Sequence, residues 1–165
     1  PVRQRGVASG LVGLAQAHFA DPDRPGLDLS ELQAGAADTL KRLVRAGGFQ
    51  CALLDGVTGL ADVVYFEAIA EALKSAANGQ VLVLLPEIAL TQSILKRFTD
   101  RFGAEPAVWH SGLPPKERRR VWREINEGRA RIVIGARSSV FLPFRNLRLA
   151  VVDEEHDPTY KQSDG

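Results

Sequence analysis

The sequence predicts an α/β fold: an open, mostly parallel sheet flanked by helices on both faces. Three observations predict it. Short runs are apolar throughout instead of alternating, stretches of helical period separate them, and functional-looking residues fall just after each run. A strand apolar on both sides needs cover on both sides, and the intervening helices supply it. Ligands of such a sheet sit at the carboxyl ends of the strands.

Residues 1 to 28 are rich in Gly, Pro and Asp, and "FADPDRPGLD" carries turn chemistry. "SGLVGLAQAHFA" before it has the makings of a short helix. This region reads as a linker or the tail of an upstream domain, and residues 29 to 165 as one domain. From Ser30 the period becomes helical, with Leu32, Ala36, Leu40, Leu43 and Val44 on one stripe, Ser30 as N-cap and Gly47-Gly48 as the stop. Strands are expected at "CALLD" (51 to 55), "VLVLLP" (81 to 86), "PAVWH" (106 to 110), "RIVIGA" (131 to 136) and "LRLAVVDE" (147 to 154). Helices are expected at about 63 to 77, 89 to 102 and 115 to 127, the last closed by Gly128. In that last helix Val121, Trp122 and Ile125 form the apolar stripe, which assigns Trp122 to the core.

Bulk properties exclude several classes. At 165 residues, 45% hydrophobic and 25% charged, the chain has the composition of one soluble domain, and a formal charge of +1 specifies no partner. Nucleic-acid binding would have to come from local charge. The single cysteine, Cys51, makes no internal disulfide, and no Cys/His cluster has zinc-ligand spacing. No apolar run approaches the roughly 18 residues of a membrane span, and no signal pattern opens the chain. A cytoplasmic protein without membrane partners is expected.

The segment "LLDGVTGLADVVYFEAI" (53 to 69) has the strand, loop and helix order that cradles phosphates. Gly56, Val57, Thr58 and Gly59 form its loop, yet the loop has no lysine. From Ala46 to Leu73 there is no lysine or arginine, while Asp55, Asp62, Glu67 and Glu71 are acidic. Asp62 suits the N-cap of a helix starting at Val63, taking the N–H bonds that a phosphate would otherwise receive.

Beyond the other strands lie "PEIALTQ", "HSG", "ARSS" and "DEEHD". Turns after strands favour Gly, Ser and Asp in any case, so the set of five carries the argument and no single member does. In "VVDEEHD", Asp153 and Glu154 offer one carboxylate to hold Mg²⁺ and one to orient or deprotonate water, with His156 positioned to report nucleotide state. An acidic, solvated strand end is the plainer alternative. Residues 116 to 137 carry Lys116, Arg118, Arg119, Arg120, Arg123, Arg129, Arg131 and Arg137 against Glu117, Glu124 and Glu127. That excess suits phosphates, or a solvated helix face with pairs such as Arg120 with Glu124.

The ordered set "DGVTG", "VLVLLPEIALT", "FGAEPAVWHSGL", "ERRRVWREINEGRARIVIGARSSVF" and "LRLAVVDEEHDPTYKQ" resembles the first RecA-like lobe of the PriA family of replication-restart helicases, within superfamily 2. The resemblance runs from about Leu29 to Gln162, and "VVDEEHDPTYKQ" is much narrower than a generic DEAH box. It implies a RecA-like, P-loop NTPase type of sheet. A second lobe, a zinc-binding insertion and an N-terminal DNA-binding domain belong to the family and are not visible here.

The resemblance also implies roles. Asp153, Glu154 and His156 match the Walker B box. Pro86 and Glu87, His110 and Ser111, and Arg137 and Ser138 match DNA-tracking and lobe-coupling motifs, although for His110 a satisfied strand-end histidine is the alternative. Gln33 matches a glutamine that contacts adenine. ATP and Mg²⁺ are the family's cofactors, and forked or single-stranded DNA, primosome proteins including the replicative helicase loader, and single-stranded DNA-binding protein its partners, in a bacterial, nucleoid-associated setting. The family loop GVTGSGKTEVY is "GVTGLADVVY" here, one residue shorter. Ala61 stands for the phosphate-binding lysine, Asp62 for the Mg²⁺-binding threonine and Leu60 for a glycine. The expectation is a replication-restart protein that binds DNA and nucleates primosomes, with no cofactor bound tightly. The alternative is an active 3′-to-5′ helicase whose phosphate contacts come from outside the loop, and a third class is a metal-dependent nuclease or phosphatase built on the DEEHD carboxylates.

Overall fold

The computed structural model describes residues 20 to 56 and 61 to 161. Val57, Thr58 and Gly59 of the loop, and the short helix expected before Ala20, lie outside the described residues.

Among the described residues there are four α-helices and four strands: α1 Glu31–Ala46, α2 Ala61–Ser75, β1 Gln80–Leu84, α3 Gln92–Phe102, β2 Ala107–Trp109, α4 Pro115–Asn126, β3 Ile132–Gly135 and β4 Leu147–Val152. All strand pairs are parallel and the order is β2-β3-β1-β4. Alternation along β1 divides the core. Val81 and Val83 face α2 and α3, packing with Phe66, Ile69, Phe98 and Phe102, whereas Leu82 and Leu84 join Val121 and Ile125 of α4 on the other side. Phe66 and Phe98 meet edge to face with centroids 4.8 Å apart, a geometry aromatic pairs prefer. The expected α/β sheet with helices on both faces is therefore present.

Local signals set the ends of α1 and α3. Ser30 caps α1 through a full capping box: its Oγ accepts from Gln33 N–H and the Gln33 amide oxygen accepts from Ser30 N–H. Thr91 caps α3, and Gly103, at φ 73°, ends it in the left-handed conformation. Gly135 is required for a different reason. A Cβ there would lie 2.6 Å from Ser139 and 2.9 Å from the Trp109 carbonyl, so only glycine lets the turn after β3 close onto the sheet.

Several expectations are corrected. "CALLD" is not a strand: residues 51 to 55 belong to no helix or strand, Leu53 is 80% exposed, and β4 is the edge of the sheet. An apolar run signals a preference for burial, but a strand also needs a ladder partner, and among the described residues none flanks the outer side of β4. Leu32 is 88% exposed because α1 packs on α2 through Ala36, Ala37 and Leu40 against Val63 and Val64. Trp122 is 46% exposed: Val121 and Ile125 centre the buried face of α4, and residue 122 lies about 100° around from 121. The strand expected to end at Glu154 stops at Val152, which frees Asp153 and Glu154 to turn.

Candidate functional site

The carboxyl ends of the strands gather nearly all the described site residues. At the start of α2, Ala61 is half-buried and Asp62 only 5% exposed. Asp62 lies inside the first turn and not before it, a correction to its reading as N-cap. Its Oδ1 accepts from Val63 N–H at 2.9 Å and its Oδ2 lies 2.5 Å from Arg97 Nη1 of α3. That second contact is a close ion pair whose N–H direction falls outside hydrogen-bond geometry. The sequence around the loop offers no cation, but the fold brings one from 35 positions downstream. Gly56, at the other side of the loop, is exposed.

One turn further along α2, Tyr65 donates from its hydroxyl to Asp153 Oδ2 at 3.0 Å. Burial, then the neighbouring Asp153 carboxylate, pushes the Tyr65 phenol far above its ordinary range. Asp153 Oδ1 accepts from Glu154 N–H at 2.8 Å, and its carbonyl accepts from Tyr160 O–H at 2.8 Å. Both carboxylate oxygens of Asp153 are thus occupied within the chain. Burial also raises the Tyr160 phenol, the carboxylate of Asp153 adding to it. Glu154 is exposed at φ +50°, an uncommon conformation for a residue with a side chain that often marks functional turns. His156 is exposed, and Asp157 turns the chain by accepting from Thr159 N–H and O–H at 2.8 and 2.6 Å.

Among the described residues no three His, Cys, Asp or Glu side chains are arranged to hold a metal. Asp62 sets a carboxylate, already bound to a guanidinium, at the helix terminus where phosphate oxygens would receive N–H groups.

A second constellation joins the loops after β1 and β2. Glu87 Oε1 accepts from Ser111 N–H at 3.1 Å and from Ser111 O–H at 2.5 Å, and these bonds hold the Glu87 carboxyl below its usual range. His110 Nδ1 accepts from Gly112 N–H at 3.1 Å, a bond within its own turn. Pro86 is buried behind them. Arg137 and Ser138 open the 3-10 turn Arg137–Phe141 after β3; both are exposed, and neither side chain is hydrogen-bonded among the described residues. Gln33 lies apart, its amide oxygen committed to the capping box of α1.

The structure also sorts the basic stretch. Arg120 pairs with Glu117 and Glu124, and Arg129 with Glu127. Arg131 donates to the carbonyls of Leu73, Ala76 and Gly79 at 2.7, 2.9 and 3.1 Å, closing the end of α2. Arg118 donates to the Ser111 carbonyl and stands 5.9 Å from the Trp109 ring centre. Lys116, Arg119, Arg123 and Arg137 keep side chains without an ion pair among the described residues. Sequence reasoning missed Arg97, Tyr65 and Gln80. Gln80 is fully buried and bonds the Ile125 and Ala130 carbonyls and the Arg145 and Asn146 amides. A polar residue heading a buried strand was its available signal. Arg97 and Tyr65 had none, since their partners are remote in sequence.

The DEAD/DEAH box helicase family model covers residues 61 to 164, beginning just after the loop. The chain is 47% identical to the replication restart protein PriA of Rickettsia conorii over 139 residues, 84% of this chain and 20% of that protein. It is 42% identical to PriA of Chlamydia trachomatis over 150 residues, 90% of this chain and 19% of that protein, and 39% identical to PriA of Bacillus subtilis over 139 residues, 84% and 17%. The chain thus spans about a fifth of the length of these curated relatives. A parallel α/β sheet, the carboxylate turn beyond β4 and these similarities together place the chain in the DEAD/DEAH box helicase family, as a first RecA-like lobe similar to that of replication restart protein PriA.

Proposed function

We propose that this lobe serves a cytoplasmic, nucleoid-associated replication-restart protein that binds forked or single-stranded DNA and nucleates primosome assembly, with ATP-driven unwinding lost. The observation that carries the loss is the buried Asp62 carboxylate paired with Arg97 at the start of α2. Unit charges about 4 Å apart interact by about 4 kcal/mol at an effective dielectric of about 20, and each 1.4 kcal/mol is tenfold in affinity. Exchanging the family's lysine and threonine for Ala61 and Asp62 works against a phosphate on that scale, and Arg97 offsets the added charge only by pairing with it. No nucleotide is needed to stabilise the terminus.

DNA contact is supported by the loops at the strand ends. Exposed Arg137 and Ser138 lie on the same sheet end as the Glu87–Ser111 pair that fixes the "HSG" turn. Primosome proteins, including the replicative helicase loader and single-stranded DNA-binding protein, are partners on this reading by similarity to PriA. The test is fork binding by the full-length protein. Arg137→Ala should weaken it uniformly across sequences and lower the salt slope by about one unit, and unchanged affinity would refute the assignment.

One observation favours an active 3′-to-5′ helicase as a second reading. Arg97 shows that a cation from outside the loop reaches this site. DNA-stimulated ATP hydrolysis by the full-length protein, abolished by Arg97→Ala, would establish it.

A further inference from the structure

The outer face of α4 carries Lys116, Arg119, Arg123 and Asn126 beside Trp122. At 100° per residue these five span about a third of the helix circumference, the three cations lying away from Val121 and Ile125 and Trp122 at the edge nearest Ile125. Trp122 is 46% exposed, while the other two apolar residues of the helix's central turn are buried. Among the described residues Lys116, Arg119 and Arg123 have no acidic partner, although Arg120 on the same helix takes two. A solvated face needs no indole, and this one leaves nearly half of its surface in water.

We propose that this face is a binding site for single-stranded DNA, separate from the strand-end loops, with Trp122 as the stacking platform and Lys116, Arg119 and Arg123 as phosphate contacts. It rests on the DNA-binding reading above. Two features favour a nucleic acid over an acidic peptide. Trp122 is the one aromatic side chain of α4 and is exposed, and a base needs only such a π-face. The cations lie on one side of it and are spread along the axis, Arg119 and Arg123 about 6 Å apart and Lys116 to Arg123 about 10 Å at 1.5 Å per residue. That row can follow a strand's phosphates. The amino-terminal end of α4 is tied to the "HSG" turn by the Arg118 bond to the Ser111 carbonyl, so the row starts at the strand ends and leads away from them.

The experiment is fluorescence polarisation of a labelled oligothymidylate against the 165-residue chain at several salt concentrations. Trp122→Ala should weaken binding at least about fivefold and Trp122→Phe should keep most of it, since base stacking on an aromatic ring is sequence-tolerant. Arg119→Gln with Arg123→Gln should lower the salt slope by about 1.4, at about 0.7 per phosphate contact on single strands. Circular dichroism checks that each variant folds, and the surface positions of all three residues make the glutamine pair the safer variant. Wild-type binding matched by both the Trp122→Ala and glutamine variants would overturn this inference alone, and Arg137→Ala in the same assay would still report on the strand-end site. Failure of the wild type to bind the oligonucleotide would overturn both readings. Binding of an acidic, aromatic peptide that Trp122→Ala abolishes, with no oligothymidylate binding, would overturn the proposal and give the face to a protein partner.

Discussion

Replacing Arg97 by alanine tests whether the fold depends on the ion pair at the head of α2. Asp62 is 5% exposed, so its carboxylate would be left in a largely dry site with Val63 N–H as its remaining close donor. Removing one member of a buried pair costs about 3 to 5 kcal/mol, because the other charge stays buried and uncompensated. The Arg97 side chain is 38% exposed, so water already screens part of the attraction and can enter when the guanidinium is gone. A loss of about 2 kcal/mol is therefore expected, which for a chain of this size lowers Tm by about 4 to 8 °C. Urea and thermal unfolding followed by circular dichroism would measure it. Arg97→Ala made in an Asp62→Asn background should cost clearly less, because the amide leaves no charge behind, giving a coupling energy of about 1 to 2 kcal/mol. An Arg97→Ala variant within about 0.5 kcal/mol of wild type, or strictly additive effects in the cycle, would refute the argument.

Other consequences follow from the same site. The Tyr65 and Tyr160 phenols titrate higher in the folded chain than the usual value of about 10. The stability they contribute is complete below about pH 10 and is lost as pH rises toward their folded values, so unfolding experiments should show stability falling above pH 10. Tyr65→Phe should flatten that slope and also remove the bond to Asp153, at about 1 kcal/mol near neutral pH; an unchanged alkaline slope would contradict the assignment. Replacing "LADV" at 60 to 63 by Ser-Gly-Lys-Thr-Glu reconstitutes the family loop and should tighten ATP binding at least tenfold by calorimetry. No gain would show that the loop is not what limits nucleotide affinity.

How much was legible depended on how local each feature is. Capping at Ser30, the stop at Gly47 and the four strands of the sheet are written in neighbouring residues, and they appear close to where the pattern put them. "CALLD" failed because apolar character is intrinsic to a segment while a ladder partner is not. Trp122 failed because one residue of phase decides between the buried and outer faces of a helix, and two adjacent apolar residues cannot both centre the stripe. At the site, the residues following each strand were readable from spacing, since topology sends all of them to one sheet end. What those residues touch was not. Arg97 meets Asp62 across 35 positions and Tyr65 meets Asp153 across 88, and no local pattern encodes either contact. The charge count from Ala46 to Leu73 was correct as a count and misleading as a neighbourhood, because the nearest cation comes from α3.

The central claim is that the chain fills its own anion site and leaves DNA binding to proceed without nucleotide. The most direct measurement is ATP affinity and hydrolysis by the full-length protein with and without forked DNA, alongside fork affinity in the same buffer. Fork binding that is tight and unaffected by ATP, with no turnover and no ATP binding at physiological concentration, is the result expected. DNA-stimulated turnover, or ATP binding that displaces Arg97 from Asp62, would contradict it.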